Sequence, residues 1–274
     1  MEMNKYNSKF NMHLVIGNCI RKITLVVMTF FFSAFANAKC GGNGIYCLSK
    51  SSRLNKNGII ILEFYTSSQS LITYLNTKYP IYLKSDKGNV FLNIIETLKG
   101  EMNLTQIVLK PSTELKVNET YSLEIDNLPK YEEKLERYNY LTNKREKFTF
   151  TINNFTDINL PKLISSPIVQ KKTLARYGCG PASWVYFSLI GQDESELFVR
   201  ASVKNNSTGK ITTYILNLED SITKIGHGMC SGAFLFDNSK NYEVVFQLYD
   251  QSGNKSNFTE PILFTKPSDL TNEE

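Results

Sequence analysis

From Gly58 onward the apolar residues recur mainly at every second position, in short runs set apart by turn residues. Ile60, Leu62 and Phe64 form one such run, and Val90, Leu92 and Ile94 another. Tyr121, Leu123 and Ile125, then Phe148, Phe150 and Ile152, repeat the pattern. Successive side chains of a strand point to opposite faces, so this rhythm buries one face of each strand. Asp86-Lys87-Gly88-Asn89 separates the run Ile81–Lys84 from the one starting at Val90 and reads as a hairpin turn. Many short strands with such turns predict an all-β chain, arranged as β-sandwiches.

The pattern falls into two blocks. In the first, Leu115, Val117, Asn118, Thr120 and Tyr121 lead into the alternating strand Tyr121–Ile125. This stretch resembles the L-x-P-N-x-T-Y-x-L segment of bacterial Ig-like and fibronectin-like domains, especially the SbsA-like type, with Val117 where Pro is usual. The resemblance implies that Tyr121 caps a corner between two sheets by hydrogen-bonding back to the chain. It assigns residues 58–153 to a first sandwich domain, after a Cys/Gly-rich segment at 39–57. Near 130–145 charge is interleaved with Tyr131, Leu135 and Tyr138, whose spacing puts three apolar side chains on one helical face. A short helix is expected there, with a long hairpin as the alternative.

Residues 154–173 carry Pro161 and Pro167 with little periodicity and read as a linker. A second sandwich is expected at 174–266, with strands at Trp184–Ile190, Glu196–Lys204, Lys210–Leu216, Gly232–Phe236 and Tyr242–Tyr249. Asn205 to Gly209 supply a hairpin turn between the second and third. The series Tyr242, Val244, Phe246, Leu248, Asp250, Gly253, Asn254, Ser256 is similar to the last hairpin of bacterial Ig-like and fibronectin-like modules. In it Gly253 and Asn254 tolerate positive φ. The acidic, polar end, residues 267–274, reads as a disordered tail.

Arg21 and Lys22 precede an apolar run, Ile23–Phe35, that closes on Ala36-Asn37-Ala38. Basic, apolar and A-x-A segments in this order read as a signal peptide, residues 1–38, cut after Ala38. The run is short for a membrane helix, which needs about 20 apolar residues, so no membrane anchor is expected after cleavage. Met12 would give a start of more ordinary length. Lys39 before Cys40 argues against acylation of that cysteine. A periplasmic or secreted bacterial envelope protein is the expectation. Cleavage removes four basic residues and one acid, lowering the net charge from +5 to +2. With no basic block, nucleic acid is not an expected partner.

Export leaves Cys40, Cys47, Cys179 and Cys230 in an oxidising compartment, where two disulfides are the default and three connectivities are open. Proximity in sequence favours Cys40 with Cys47 and Cys179 with Cys230. The C-x-x-C pairs of a zinc site are absent.

Two segments could carry chemistry. Cys179-Gly180-Pro181-Ala182-Ser183 resembles the C-G-P-A-S entry to the nucleophile helix of papain-like bacteriocin-processing peptidases. That resemblance implies Cys179 as nucleophile, His227 as base and Asp250 as orienter. Against it, Trp184–Ile190 is aromatic and β-branched, which favours a strand. His227 and Met229, beside Cys230, are soft ligands suited to copper, but no companion cluster accompanies them. A Gly-flanked loop before a strand at Gly232 is the simpler reading of His227. The sequence therefore favours a non-catalytic structural, adhesion or binding module, with no cofactor and with another envelope protein or an extracellular ligand as partner. A Cys179/His227 peptidase is the main alternative and a copper-binding protein the lesser one.

Overall fold

A computed structural model describes residues 44–130, 135–139, 143–237 and 241–268. Contacts divide the chain into Met1–Lys39 and Cys40–Glu274, and every described residue lies in the second unit. The expected signal peptide, Cys40, Tyr131 and residues 269–274 lie outside the described residues. Among those described, no helix is long and apolar enough to cross a membrane.

The fold is all-β. The first ten strands are β1 (Gly44–Cys47), β2 (Arg53–Leu54), β3 (Ile60–Tyr65), β4 (Ile81–Ser85), β5 (Gly88–Lys99), β6 (Leu104–Pro111), β7 (Thr120–Ile125), β8 (Glu136–Asn139), β9 (Lys144–Lys147) and β10 (Thr149–Ile152). Then come β11 (Lys162–Leu163), β12 (Ile168–Tyr177), β13 (Gly180–Ser188), β14 (Gly191–Gln192), β15 (Leu197–Asn205), β16 (Ile211–Asn217), β17 (Ile222–His227), β18 (Asn241–Asp250) and β19 (Ile262–Thr265). A 3-10 helix at Thr66–Tyr74 is the one helix among the described residues, and nothing in the periodicity announces it.

Strands of the first block run in the order β1-β3-β6-β5-β4-β7-β10-β2. The sheet folds over on itself because β5 serves two neighbours: its first half pairs with β4 and its second with β6, with a register shift between Ile94 and Glu96. Such a bulge bends a strand and increases its twist. Ile60, Leu62, Phe64, Ile107 and Leu109 thereby face Ile81, Leu83, Leu123, Phe150 and Ile152 in one apolar cluster. Tyr121 Oη accepts the Lys116 N–H at 3.3 Å, closing the corner that the resemblance implied. The hairpin read at Asp86–Asn89 forms, with Gly88 at φ +130. Within 130–145 the described residues 136–139 and 144–145 belong to the β8–β9 hairpin, the alternative to a helix there, while residues 131–134 and 140–142 lie outside the described residues. Leu135 is buried just ahead of β8.

In the second block, β12-β13-β17 faces β16-β15-β18-β19. Val185, Phe187, Leu189 and Ile225 meet Val199, Ala201, Val203, Val244 and Phe246, and Phe187 sits edge-on to Phe246 at 5.1 Å. A second tyrosine corner stands at the start of β18. Tyr242 Oη accepts the Asp237 N–H at 3.0 Å and donates to Asp237 Oδ1 at 2.9 Å. The expected Asp250 turn is present with Gly253 at φ +92, whereas Asn254 is not among the positive-φ residues.

Two strand assignments need correction. Gly232–Phe236 is not a strand and makes only isolated bridges. The strand is instead β17, so His227 ends a strand rather than lying in a loop. Trp184 of β13 lies directly against Gly226 of β17. There the two backbones close in: a Cβ on Gly226, at φ +138, would lie 2.0 Å from Ser183 O, so only glycine fits. Strand β12 begins at Ile168, inside the segment read as linker. It is largely exposed and carries Lys171, Lys172 and Arg176, so no alternation marks it.

The two blocks share apolar surface. Ile59, Ile61, Leu98 and Val108, from the outer face of the first sandwich, belong to the same cluster as Phe198, Ile215 and Tyr249. Polar ties accompany this packing. Glu96 accepts both Arg200 guanidinium nitrogens, at 2.6 and 2.8 Å. Gln106 donates to Ile215 O at 2.9 Å and accepts the Ile215 N–H at 3.1 Å, so its amide stands in for a missing neighbour strand at the edge of β16.

Candidate functional site

Along the free edge of β16, where strands of both blocks meet, lies a groove of about 600 Å³. β3 contributes Glu63 and Tyr65, β13 contributes Trp184 and Tyr186, β16 contributes Tyr214, and β17 contributes Thr223 and Lys224. The alternation of β3 explains the first pair. Ile60, Leu62 and Phe64 point into the first sandwich, so Glu63 and Tyr65 must point out of it, toward the second block.

Glu63 has no cationic partner among the described residues. Gln106 Nε2 lies 3.3 Å from its Oε1, and Tyr65 and Tyr214 direct their hydroxyls at it. Burial removes the carboxylate from water and outweighs those contacts, pushing its pKa up to about 7. The same burial, reinforced by the Glu63 charge, raises the phenols of Tyr65 and Tyr214. Tyr214 is 1% exposed and Thr223 2% exposed. Tyr214 Oη approaches the carboxylate without closing a hydrogen bond, and Thr223 Oγ1 has no partner among the described residues. Buried hydroxyls left unpaired are uncommon and costly, about 1–3 kcal/mol each. On the open side, Lys224 Nζ stands over the Trp184 ring at 4.8 Å and Lys171 Nζ over Tyr186 at 4.8 Å.

The residues singled out from sequence lie elsewhere or serve other ends. Cys179 sits in the turn that opens β13, so it precedes a strand and not a helix. His227 pairs with Ser183 near the same end of that strand, its Nδ1 2.9 Å from Gly228 O and its ring packed toward Phe236. Asp250 belongs to the opposite end, where Leu248 and Leu197 pack on Gly191 and Leu197 pairs with Asp250. The nine residues of β13 between the two ends span about 30 Å, so nucleophile, base and orienter are not assembled.

Asp250 instead organises its own turn. Its Oδ1 accepts the N–H groups of Ser252 and Asn254 at 2.8 and 2.9 Å, and its Oδ2 accepts Asn254 Nδ2 at 2.8 Å. Desolvation holds its pKa up at about 6. Cys230 is disulfide-bonded and lies in the loop between His227 and Gly232, whose ends bridge. Cys47 ends β1, and Met229 O faces Gly180. No three-donor set of His, Cys, Asp and Glu includes His227 among the described residues. The one such set is Asp157, Asp193 and Glu194. It is occupied by internal donors, with Ser195 Oγ bonded to Asp157 and Asn159 Nδ2 to Glu194.

Sequence reading passed over Glu63, Tyr214 and Thr223. One signal was available for the first: Ile59-Ile60-Ile61-Leu62 is continuous rather than alternating, as expected of a strand buried on both faces. A glutamate in its continuation is therefore a charge drawn partly out of water.

No family model matches the chain, and no curated protein matches it. Among solved structures, it is similar to fibronectin(III)-like modules of Clostridium thermocellum CbhA, at 13% identity and TM-score 0.23, covering 84% of this chain and 98% of that one. Pullulanase type I from Bacillus subtilis str. 168, complexed with maltose, matches at 10% identity and TM-score 0.24 over 83% of this chain, and the chain spans only 25% of its length. Dimeric latent PorU from Porphyromonas gingivalis matches at 13% identity and TM-score 0.26, covering 81% of this chain and 19% of that one. None of these similarities places the chain in a family.

Proposed function

We propose that this chain is an exported, non-catalytic binding module of two Ig-like sandwiches, the first of the SbsA-like type, and that it takes its ligand in the groove along β16. The observation carrying this reading is the pair of buried hydroxyls, Tyr214 Oη and Thr223 Oγ1, that have no hydrogen-bond partner among the described residues and line an open groove with aromatic walls. A ligand would satisfy them. The two tyrosine corners support the Ig-like part of the reading. The signal-like sequence ending at Ala38 supports export to the periplasm or beyond, and a mature N-terminus at Lys39 in the exported protein is the expected result of N-terminal sequencing.

Trp184 is the single tryptophan of the chain, so its indole reports on the groove alone. A panel of small fragments followed by NMR should collect its responses at the Trp184 indole N–H and its groove neighbours. Responses scattered over the surface, or confined to the Cys179 turn together with peptide hydrolysis lost in Cys179→Ala, would overturn the reading.

A further inference from the structure

The groove's chemistry specifies more than apolar contact. One of its charged groups, Glu63, is a carboxylate without a counter-charge among the described residues, reached by Gln106 from β6, Tyr214 from β16 and Tyr65 from its own strand, with Tyr46 of β1 packed edge-on against Tyr65 at 4.9 Å. The other charged residues lining the groove are Lys224, Glu219 and Asp220. Glu219 is paired with Lys50, and Lys224 rests on the Trp184 face. Tyr214 Oη and Thr223 Oγ1 can both accept hydrogen bonds, and no donor among the described residues reaches either.

We propose that the groove binds a primary ammonium group, carried by a small free amine or by a lysine side chain, which donates to the Glu63 carboxylate, Tyr214 Oη and Thr223 Oγ1. An ammonium has three N–H donors and no acceptor, which matches three acceptors and supplies the missing positive charge. The aromatic walls suit the rest: the rings of Tyr65 and Tyr214 cover the alkyl stem beside the ammonium. A neutral polyol would leave the carboxylate uncompensated. This inference rests on the groove being a binding site.

Binding of a cation favours the ionised carboxylate, so occupancy and Glu63 ionisation are linked. With Glu63 titrating at about 7, affinity for an ammonium should rise about tenfold between pH 6 and pH 8. The test is titration of the full chain with n-butylammonium, followed by Trp184 fluorescence. Nα-acetyl-lysine methylamide, tetramethylammonium and maltose serve as comparison probes.

The expected result is saturable binding of n-butylammonium that strengthens with pH, with tetramethylammonium much weaker because it has no N–H. Glu63→Gln should lose the pH dependence and most of the affinity. Thr223→Val should weaken binding while keeping the pH dependence, a pattern that a misfolded variant would not give. Tighter binding of the lysine derivative assigns the site to peptide-borne lysine; equal or weaker binding assigns it to free amines. Butylammonium affinity that is equal at pH 6 and pH 8, or undiminished in Glu63→Gln, would overturn the proposal. Saturable binding of maltose alone would overturn the ammonium while leaving the groove a binding site, and silence to every probe would count against both.

Discussion

The two faces of β3 differ in kind: one is fully buried and the other is half-buried at Glu63 and Tyr65. Ile60, Leu62 and Phe64 enter a cluster formed almost wholly of aliphatic and aromatic side chains from the first block. The opposite face carries Ile61, Glu63 and Tyr65, flanked by Gln106 and the Arg200–Glu96 ion pair, and meets the second block. The first face contributes stability through dry packing. The second joins two sandwiches through hydrogen bonds that must all be satisfied, and it leaves a groove where they are not. Buried polar groups are costly when unpaired, so the second face is where ligand binding can repay a deficit that folding leaves.

Substitutions on the two faces should separate these roles. Phe64→Ala, in the dry cluster, should cost about 3–5 kcal/mol of unfolding free energy, from lost transfer and the cavity left behind. Urea unfolding would measure this, and a loss comparable to that of an exposed residue would break the contrast. Gln106→Leu keeps the size of the side chain but strips Ile215 N–H and C=O of their partner, and should cost about 2 kcal/mol. Hydrogen exchange would show the loss at the Ile215 amide first, with the Leu62 and Leu109 amides spared. The tyrosine corners should give smaller, unequal effects. Tyr242→Phe removes two hydrogen bonds and should cost about 1.5 kcal/mol, whereas Tyr121→Phe removes one longer bond and should cost about 0.5 kcal/mol.

How much of this was legible in the sequence follows the same division. Alternation exposed the inward faces of β3, β5, β7, β10 and β18, because one polar face per strand is what period two reports. Turn chemistry located the Gly88 and Gly209 hairpins and the Asp250–Asn254 turn. Tyr121 was readable as a corner from its local pattern, and Tyr242 starts an equally regular strand, but its partner Asp237 lies outside that pattern. Strand β12 escaped because its lysines sit on an exposed edge, and β17 because Gly226 and His227 end its short alternation. The groove escaped for a different reason: Glu63, Tyr214 and Thr223 come from separate strands of two blocks, and only docking of one sheet on another brings them together.

Docking draws the half-buried Glu63 carboxylate out of water with no counter-charge among the described residues. A carboxylate whose pKa is raised on folding binds its proton more tightly in the native state. Its penalty is absent below the ordinary value of 4.5, grows as pH rises, and is complete above about 7. Glu63→Gln keeps the size and hydrogen bonding of the protonated acid and cannot ionise. The direct measurement is the difference in unfolding free energy between Glu63→Gln and the unaltered protein, taken from pH 4 to pH 9 in the absence of amines. Near-equal stability is expected at the acid end, with a widening advantage for the variant between pH 5 and pH 8. A difference that stays constant with pH, or an unaltered protein that gains on the variant as pH rises, would contradict it.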